Sequence, residues 1–151
     1  MWRRAVISML SAGLLLLPAR PHQASAAPGN PLVGVWQVAA PLAGLYIFTP
    51  THYSMMAATT DRPDNVDANR ATADEMRALW GPMIANAGAY TLEGNLLTIR
   101  PVVAKFPVVM KAGAYEVYEF EIQTNKLTLT QRRNVRGPVE RGSVTTLQRV
   151  E

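Results

Sequence analysis

The chain has 151 residues, 48% of them hydrophobic, and no cysteine. That fits one domain with its own core, and it excludes disulfides, thiol chemistry and a lipid anchor on an N-terminal cysteine. The formal net charge of +4 includes Arg3, Arg4 and Arg20; taking these three from the 15 basic residues leaves 12 against 11 acidic ones, or +1 for a chain without its first segment. A near-neutral domain gives no electrostatic reason for a nucleic-acid partner, and none is expected.

Arg3 and Arg4 precede an apolar run from Ala5 to Leu17, Pro18 breaks the run, and Ala24-Ser25-Ala26 supplies small residues before Ala27. This is the layout of a secretory signal peptide. Its 13 apolar residues fall short of the roughly 20 that span a bilayer. Residues 1–26 are therefore expected to be cleaved after Ala26, leaving no stable membrane anchor and a periplasmic or secreted protein. Trp2 and Ser8 flank the arginine pair poorly for twin-arginine export, although the pattern leaves the route open.

Residues 27–31 (Ala-Pro-Gly-Asn-Pro) form a flexible lead-in, and 32–151 the domain. Leu32 to Val38 reads as a first strand, with Leu32, Gly34, Trp36 and Val38 on one face. Gly44 to Phe48 is apolar on both faces and reads as a buried second strand. Thr49-Pro50-Thr51 turns the chain into a third strand from His52 to Ala57. Residues 59–70 form a polar loop. Thr72-Ala73-Asp74-Glu75 matches a capping box, and Met76, Leu79 and Trp80 follow on one helical face. Gly81-Pro82 interrupts that helix, and a second short turn is predicted through Met83, Ile84 and Asn86 to Gly88. The remainder alternates as strands: 89–93 and 96–103 around Gly94-Asn95, then 114–122, 127–132 and 143–150. Tyr118, Phe120 and Ile122 share one face, opposite Glu119 and Glu121. The predicted fold is mainly β, an antiparallel up-and-down barrel of about eight strands with one helical insertion after the third.

Several segments resemble the bacterial lipocalin-like domain family, over roughly residues 30 to 151. They are Asn30-Pro31-Leu32-Val33-Gly34-Val35-Trp36, the hairpin Gly44 to Ser54, Ala87-Gly88-Ala89-Tyr90-Thr91-Leu92-Glu93-Gly94, Leu127-Thr128-Leu129-Thr130, and the late Arg149. The resemblance implies a calycin-type barrel in which Gly34 and Trp36 on the first strand and Arg149 on the last close one end, with a guanidinium stacked on an indole. Many family members carry a His in the strand after the Ala-Gly-x-Tyr segment. Here that strand reads Leu97-Thr98-Ile99-Arg100-Pro101-Val102, so no role that depends on such a His carries over.

No nucleophile elbow or phosphate-binding glycine loop is present, and His52 is the only His after residue 26. Asp61, Asp64 and Asp67 lack the spacing and the later bidentate Glu of a calcium loop, so neither a metal nor another cofactor is expected. The residues expected to line or anchor a ligand are Tyr46, His52, Tyr53, Met55, Tyr90, Arg100, Lys105 and Tyr118. His52 and Tyr53 pair acid–base or hydrogen-bonding groups at a strand start. Arg100 would hold a carboxylate, and the tyrosines and methionines suit an amphipathic cavity wall. Each also has a plain structural role open to it: His52 as a rim residue, Arg100 as a solvated side chain, Lys105 as a snorkelling one, the aromatics as core. The expected function is binding or carriage of a small apolar or amphipathic molecule in the barrel. The alternatives are a barrel isomerase or cyclase using His52, Tyr53 and Arg100, and an interaction module with a filled core. The sequence assigns no catalytic residue and no oligomeric state.

Overall fold

The computed structural model describes residues 29–151, and the predicted signal segment, 1–26, lies outside them. The described chain forms β1 (Gly34–Val38), β2 (Leu42–Phe48), β3 (His52–Thr59), α1 (Ala73–Trp80), β4 (Met83–Glu93), β5 (Leu96–Ala104), the 3₁₀ turn η1 (Pro107–Met110), β6 (Glu116–Gln123), β7 (Lys126–Asn134), β8 (Gly137–Pro138) and β9 (Val144–Arg149). Hydrogen-bonded neighbours run β6-β5-β4-β3-β2-β1-β9-β7, and β6 also pairs with β7. The sheet thus closes on itself as an eight-stranded antiparallel barrel with one helix between β3 and β4. The two-residue β8 hangs on β7 outside the ring. Closure gives every strand of the ring a neighbour on both sides, although β5 pairs with β6 only over Leu96–Ile99.

Local chemistry explains most boundaries. Gly94 takes φ +60° in the two-residue Gly-Asn turn between β4 and β5, a conformation glycine adopts without steric penalty. At the start of α1 the Glu75 backbone N–H donates to Thr72 Oγ1 at 3.3 Å, and the Thr72 backbone N–H donates to Glu75 Oε2 at 2.7 Å. This reciprocal cap satisfies two donors that the first turn would leave bare. At the other end Lys105 Nζ donates to the carbonyls of Trp80, Gly81 (2.8 Å) and Met83 (3.1 Å), a cation at the negative end of the helix dipole.

Two segments differ from the sequence pattern. Residues 83–88 are not a second helical turn; they open the 11-residue strand β4, paired with β3 from Ala58↔Met83 to His52↔Ala89. Cross-strand partners decide this stretch, where Gly and Pro only marked the end of a helix. β2, apolar on both faces, is buried on one: Tyr46 and Phe48 face inward, while Leu45 and Ile47 on the outer wall stay 45% and 41% exposed.

One end of the barrel is plugged. Trp36 is fully buried with Leu32, Phe48, Leu97, Leu127 and Leu147 around it in a single core, and its Nε1 donates to the Leu32 carbonyl at 2.7 Å. Arg149, opposite Trp36 across the β1–β9 pairing, lays its guanidinium 4.0 Å from the indole centroid. The same guanidinium donates to the carbonyls of Val33 (2.9 Å) and Pro31 (2.7 Å). Gly34, at φ +136°, makes room for both this group and the chain end: a Cβ there would collide with the Glu151 carbonyl oxygen and stand 2.7 Å from Arg149 Nη1.

Trp36→Ala is expected to lower stability by about 3–5 kcal/mol in denaturant unfolding, the range for removing a fully buried large aromatic; a loss below about 1 kcal/mol would rule out a plugging role. Arg149→Lys should lower Tm measurably, because an ammonium cannot both lie flat on the indole and reach two carbonyls. An unchanged Tm would count against the stack as a closure element.

Candidate functional site in the barrel mouth

Alternation along each strand decides which side chains enter the barrel. On β3, Tyr53, Met55, Ala57 and Thr59 point inward; register then places Tyr46 and Phe48 of β2 beside Met55 and Tyr53, and Asn86 and Gly88 of β4 on their other side. On β6, Glu116, Tyr118, Phe120 and Ile122 face inward, opposite Ile99 and Leu97 of β5 and Gln131, Leu129 and Leu127 of β7. Towards the Trp36 end this inner surface is apolar and filled. Tyr90 belongs to that end: its hydroxyl accepts from Asn30 Nδ2 and donates to the Thr49 carbonyl, both at 2.6 Å, and its ring meets Phe48 edge-on at 5.6 Å.

Towards the opposite end, where the loop after β3, α1 and η1 lie, the inner surface is polar. Among the described residues Glu116 is the one buried charged side chain, at 8% exposure. Tyr118 Oη donates to Glu116 Oε2 at 3.3 Å, and Gln131 Nε2 reaches both Glu116 Oε1 (3.4 Å) and Tyr118 Oη (3.3 Å). These bonds are long, and no Lys or Arg pairs with the carboxylate: the ion pairs among the described residues are Arg77–Asp74 and Arg132–Glu119. Burial raises the Glu116 pKa above the usual carboxylate value, and the Tyr118 hydrogen bond offsets this in part. The Tyr53 and Tyr118 hydroxyls are pushed well up, first by burial and then by the Glu116 charge; Tyr46 is raised by burial, with Thr145 acting in the opposite sense.

Four buried side-chain atoms of the described residues have no hydrogen-bond partner in the protein: Tyr53 Oη, Thr59 Oγ1 and Asn86 Oδ1 on inward positions of β3 and β4, and Arg133 Nε on β7. Left dry, such atoms cost about 1–3 kcal/mol each. Buried polar atoms of native proteins are normally paired, so these positions are locally unfavourable for the fold.

The eight residues expected to meet a ligand divide between inside and outside. Tyr46, Tyr53, Met55, Tyr90 and Tyr118 face into the barrel, Tyr90 at its plugged end. His52, Arg100 and Lys105 face out. His52 is exposed on the β2–β3 hairpin, its Nδ1 2.8 Å from Thr51 Oγ1. Arg100 and Arg133 lie 5.9 and 4.6 Å from the Tyr115 ring on the outer wall, and Lys105 caps α1. Glu116, Gln131, Asn86 and Thr59 escaped the sequence reading. Glu116 carried a signal nonetheless, since it stands two before Tyr118 in the same alternation. Asn86 carried none while its segment was read as helix.

A recess lies on the outer wall of β3, β4 and β5. It holds about 380 Å³; Met56, Trp80, Met83 and Val103 form its sides, Ser54, Ala85 and Ala87 lie along it, and Met55 and Asn86 also border it. It is apolar, and the small side chains of β4 create it. Among the described residues no three His, Cys, Asp or Glu side chains come together as a metal-binding group would require. No family model matches this sequence. No curated protein proved similar to it.

The raised Glu116 pKa carries a sign that can be checked. The folded state holds this proton more tightly than the unfolded chain, so the buried acid lowers stability progressively as pH rises above the ordinary carboxylate value. Glu116→Gln is expected to raise Tm at pH 7, and the gain should vanish near pH 4 and below, where both states hold the proton. Thermal melts of the two proteins across that range measure it; a pH-independent difference would mean the carboxyl is not the cause.

Proposed function

We propose that this chain is an exported, lipocalin-like binding protein that holds a small amphipathic molecule in the mouth of its barrel. The observation that carries the proposal is the set of three buried, unpartnered polar atoms, Tyr53 Oη, Thr59 Oγ1 and Asn86 Oδ1, on the same inner surface as Glu116. A guest's polar group meets those within its reach beside Glu116, Tyr118 and Gln131, and its apolar part lies against Met55, Phe120 and the ring faces of Tyr46 and Tyr118. Export is supported by the charged, apolar and small-residue layout of residues 1–26. Membership of the lipocalin-like family is supported by the closed barrel with Arg149 stacked on Trp36.

The two competing readings fit less well. Of the groups an isomerase or cyclase would draw on, a guest inside the barrel meets Tyr53 but neither His52 nor Arg100. A barrel filled only by its own side chains accounts for the Trp36 end but leaves the mouth acceptors bare.

The test uses 2-phenylethanol as a neutral amphipathic probe, titrated into the isotopically labelled protein and followed by NMR. Binding in the mouth shifts the Gln131 side-chain amide and the Tyr118 ring, and Tyr118→Ala alters the Gln131 shift. Shifts confined to the Trp80 indole and the Ala85 and Ala87 methyls would place binding in the outer recess and refute the mouth as the site.

A further inference from the structure

The outer wall of β2, β3, β4 and β5 is apolar, and the described residues leave it uncovered. Register carries two rows across it: Leu45 opposite Met56 and Met56 opposite Ala85, then Ile47, Ser54, Ala87 and Val103 in line. The β4–β5 pairing skips Val102, because Ala87 faces Val103 and Gly88 faces Pro101. This bulge leaves both valines on the surface, at 75% and 62% exposure. Met56 and, at the end of α1, Trp80 are also each more than half exposed. Together with Leu45 and Ile47, these side chains offer on the order of 700 Å² of apolar surface. That exceeds the roughly 300–600 Å² of the largest patch on a typical monomer and approaches the roughly 800 Å² that each partner brings to a standard interface.

The shape and charge of the wall select its partner. Small side chains at Ser54, Ala85 and Ala87 leave the recess of about 380 Å³, and Val103 borders it. Val102 projects beside Val103, so a hollow and a ridge lie next to each other. Such a surface can receive a copy of itself turned by a two-fold rotation. Residues 42–48, 53–60 and 83–92 contain no charged side chain, so like charges do not meet near the axis. The border carries both signs: Arg62 and Asp64 at the β2–β3 side, and Lys105 at the β5 side. An anionic membrane draws in an apolar face through a surround of free cations. Here Arg62 shares its border with Asp64, and Lys105 Nζ is spent on the carbonyls that end α1.

We propose that this wall is the interface of a two-fold symmetric homodimer, in which Val102 and Val103 of each copy enter the recess of the other. The interface is independent of what the barrel holds. The opposite wall, on β6 and β7, carries Glu119, Glu121 and Arg132 and stays in solvent.

Sedimentation equilibrium of the protein purified from its own host tests this. At about 100 µM, a concentration at which an interface of this size is populated, it should give twice the chain mass. Met56→Glu and Val103→Glu each put a charge on an already exposed position, so circular dichroism should show the fold retained. Each should weaken dimerisation about a hundredfold or more, because a two-fold contact buries the new charge twice. Glu121→Lys, on the opposite wall, should leave dimerisation unchanged. In dimers that mix methyl-labelled and unlabelled copies, NMR should connect the Val102 and Val103 methyls of one copy to the Ala85 and Ala87 methyls of the other, with one set of signals. A chain that is monomeric at that concentration, a dimer that survives both substitutions, or a doubled set of signals overturns the proposal. A monomer that floats with phosphatidylglycerol vesicles, and no longer does so as Met56→Glu, overturns it in favour of a membrane.

Discussion

The stack of Arg149 on Trp36 is the contact on which the rest of the barrel depends. It joins the first strand to the last at 4.0 Å, and the same guanidinium holds the carbonyls of Pro31 and Val33, so the lead-in segment is drawn across the end of the barrel. A planar cation with several donors can satisfy all of these demands at once; a flexible point charge cannot. Because β1 and β9 are thereby held together, β7 can pair with both β9 and β6, and the sheet closes into a ring. Gly34 completes the arrangement, since any Cβ at that position would intrude on the guanidinium.

Plugging one end shifts the functional question to the other. Trp36, Phe48, Leu97 and Leu127 fill the barrel tightly near the stack. Away from the stack the inward positions carry Glu116, Tyr118, Gln131, Asn86 and Thr59, several of them short of partners, and Tyr53, beside Phe48, leaves its hydroxyl unpartnered as well. Stability alone does not account for that choice. An apolar side chain at position 116 would remove a buried acid whose pKa is raised by its own burial. Sites that recognise ligands often keep such locally unfavourable groups, and the tight core at the plugged end can offset them.

The outer wall is divided as well. β6 and β7 turn Glu119, Glu121, Thr128 and Arg132 to solvent, as a half-buried antiparallel sheet normally does. β2, β3 and β5 instead turn out Leu45, Ile47, Met56 and Val103, and α1 adds Trp80. This division is why β2 looked buried on both faces in the sequence: an apolar side chain carries no mark of whether the neighbour it faces is core or solvent.

Period-two alternation determined much of the fold. Tyr118, Phe120 and Ile122, and then Leu127 and Leu129, declared their inward face without a partner in view, because one strand residue in two must face the core. The Thr72–Glu75 cap and the Gly94-Asn95 turn were equally legible, since each is decided by atoms within four residues of one another. The limits of β4 and the membership of the mouth were not. Residues 83–88 became a strand through pairing with β3. Arg100 and Lys105 were turned outward, and Asn86 and Glu116 inward, by registers set between strands far apart in the chain. Which polar groups meet inside a barrel depends on how its strands are staggered at closure, and only the tertiary structure decides that.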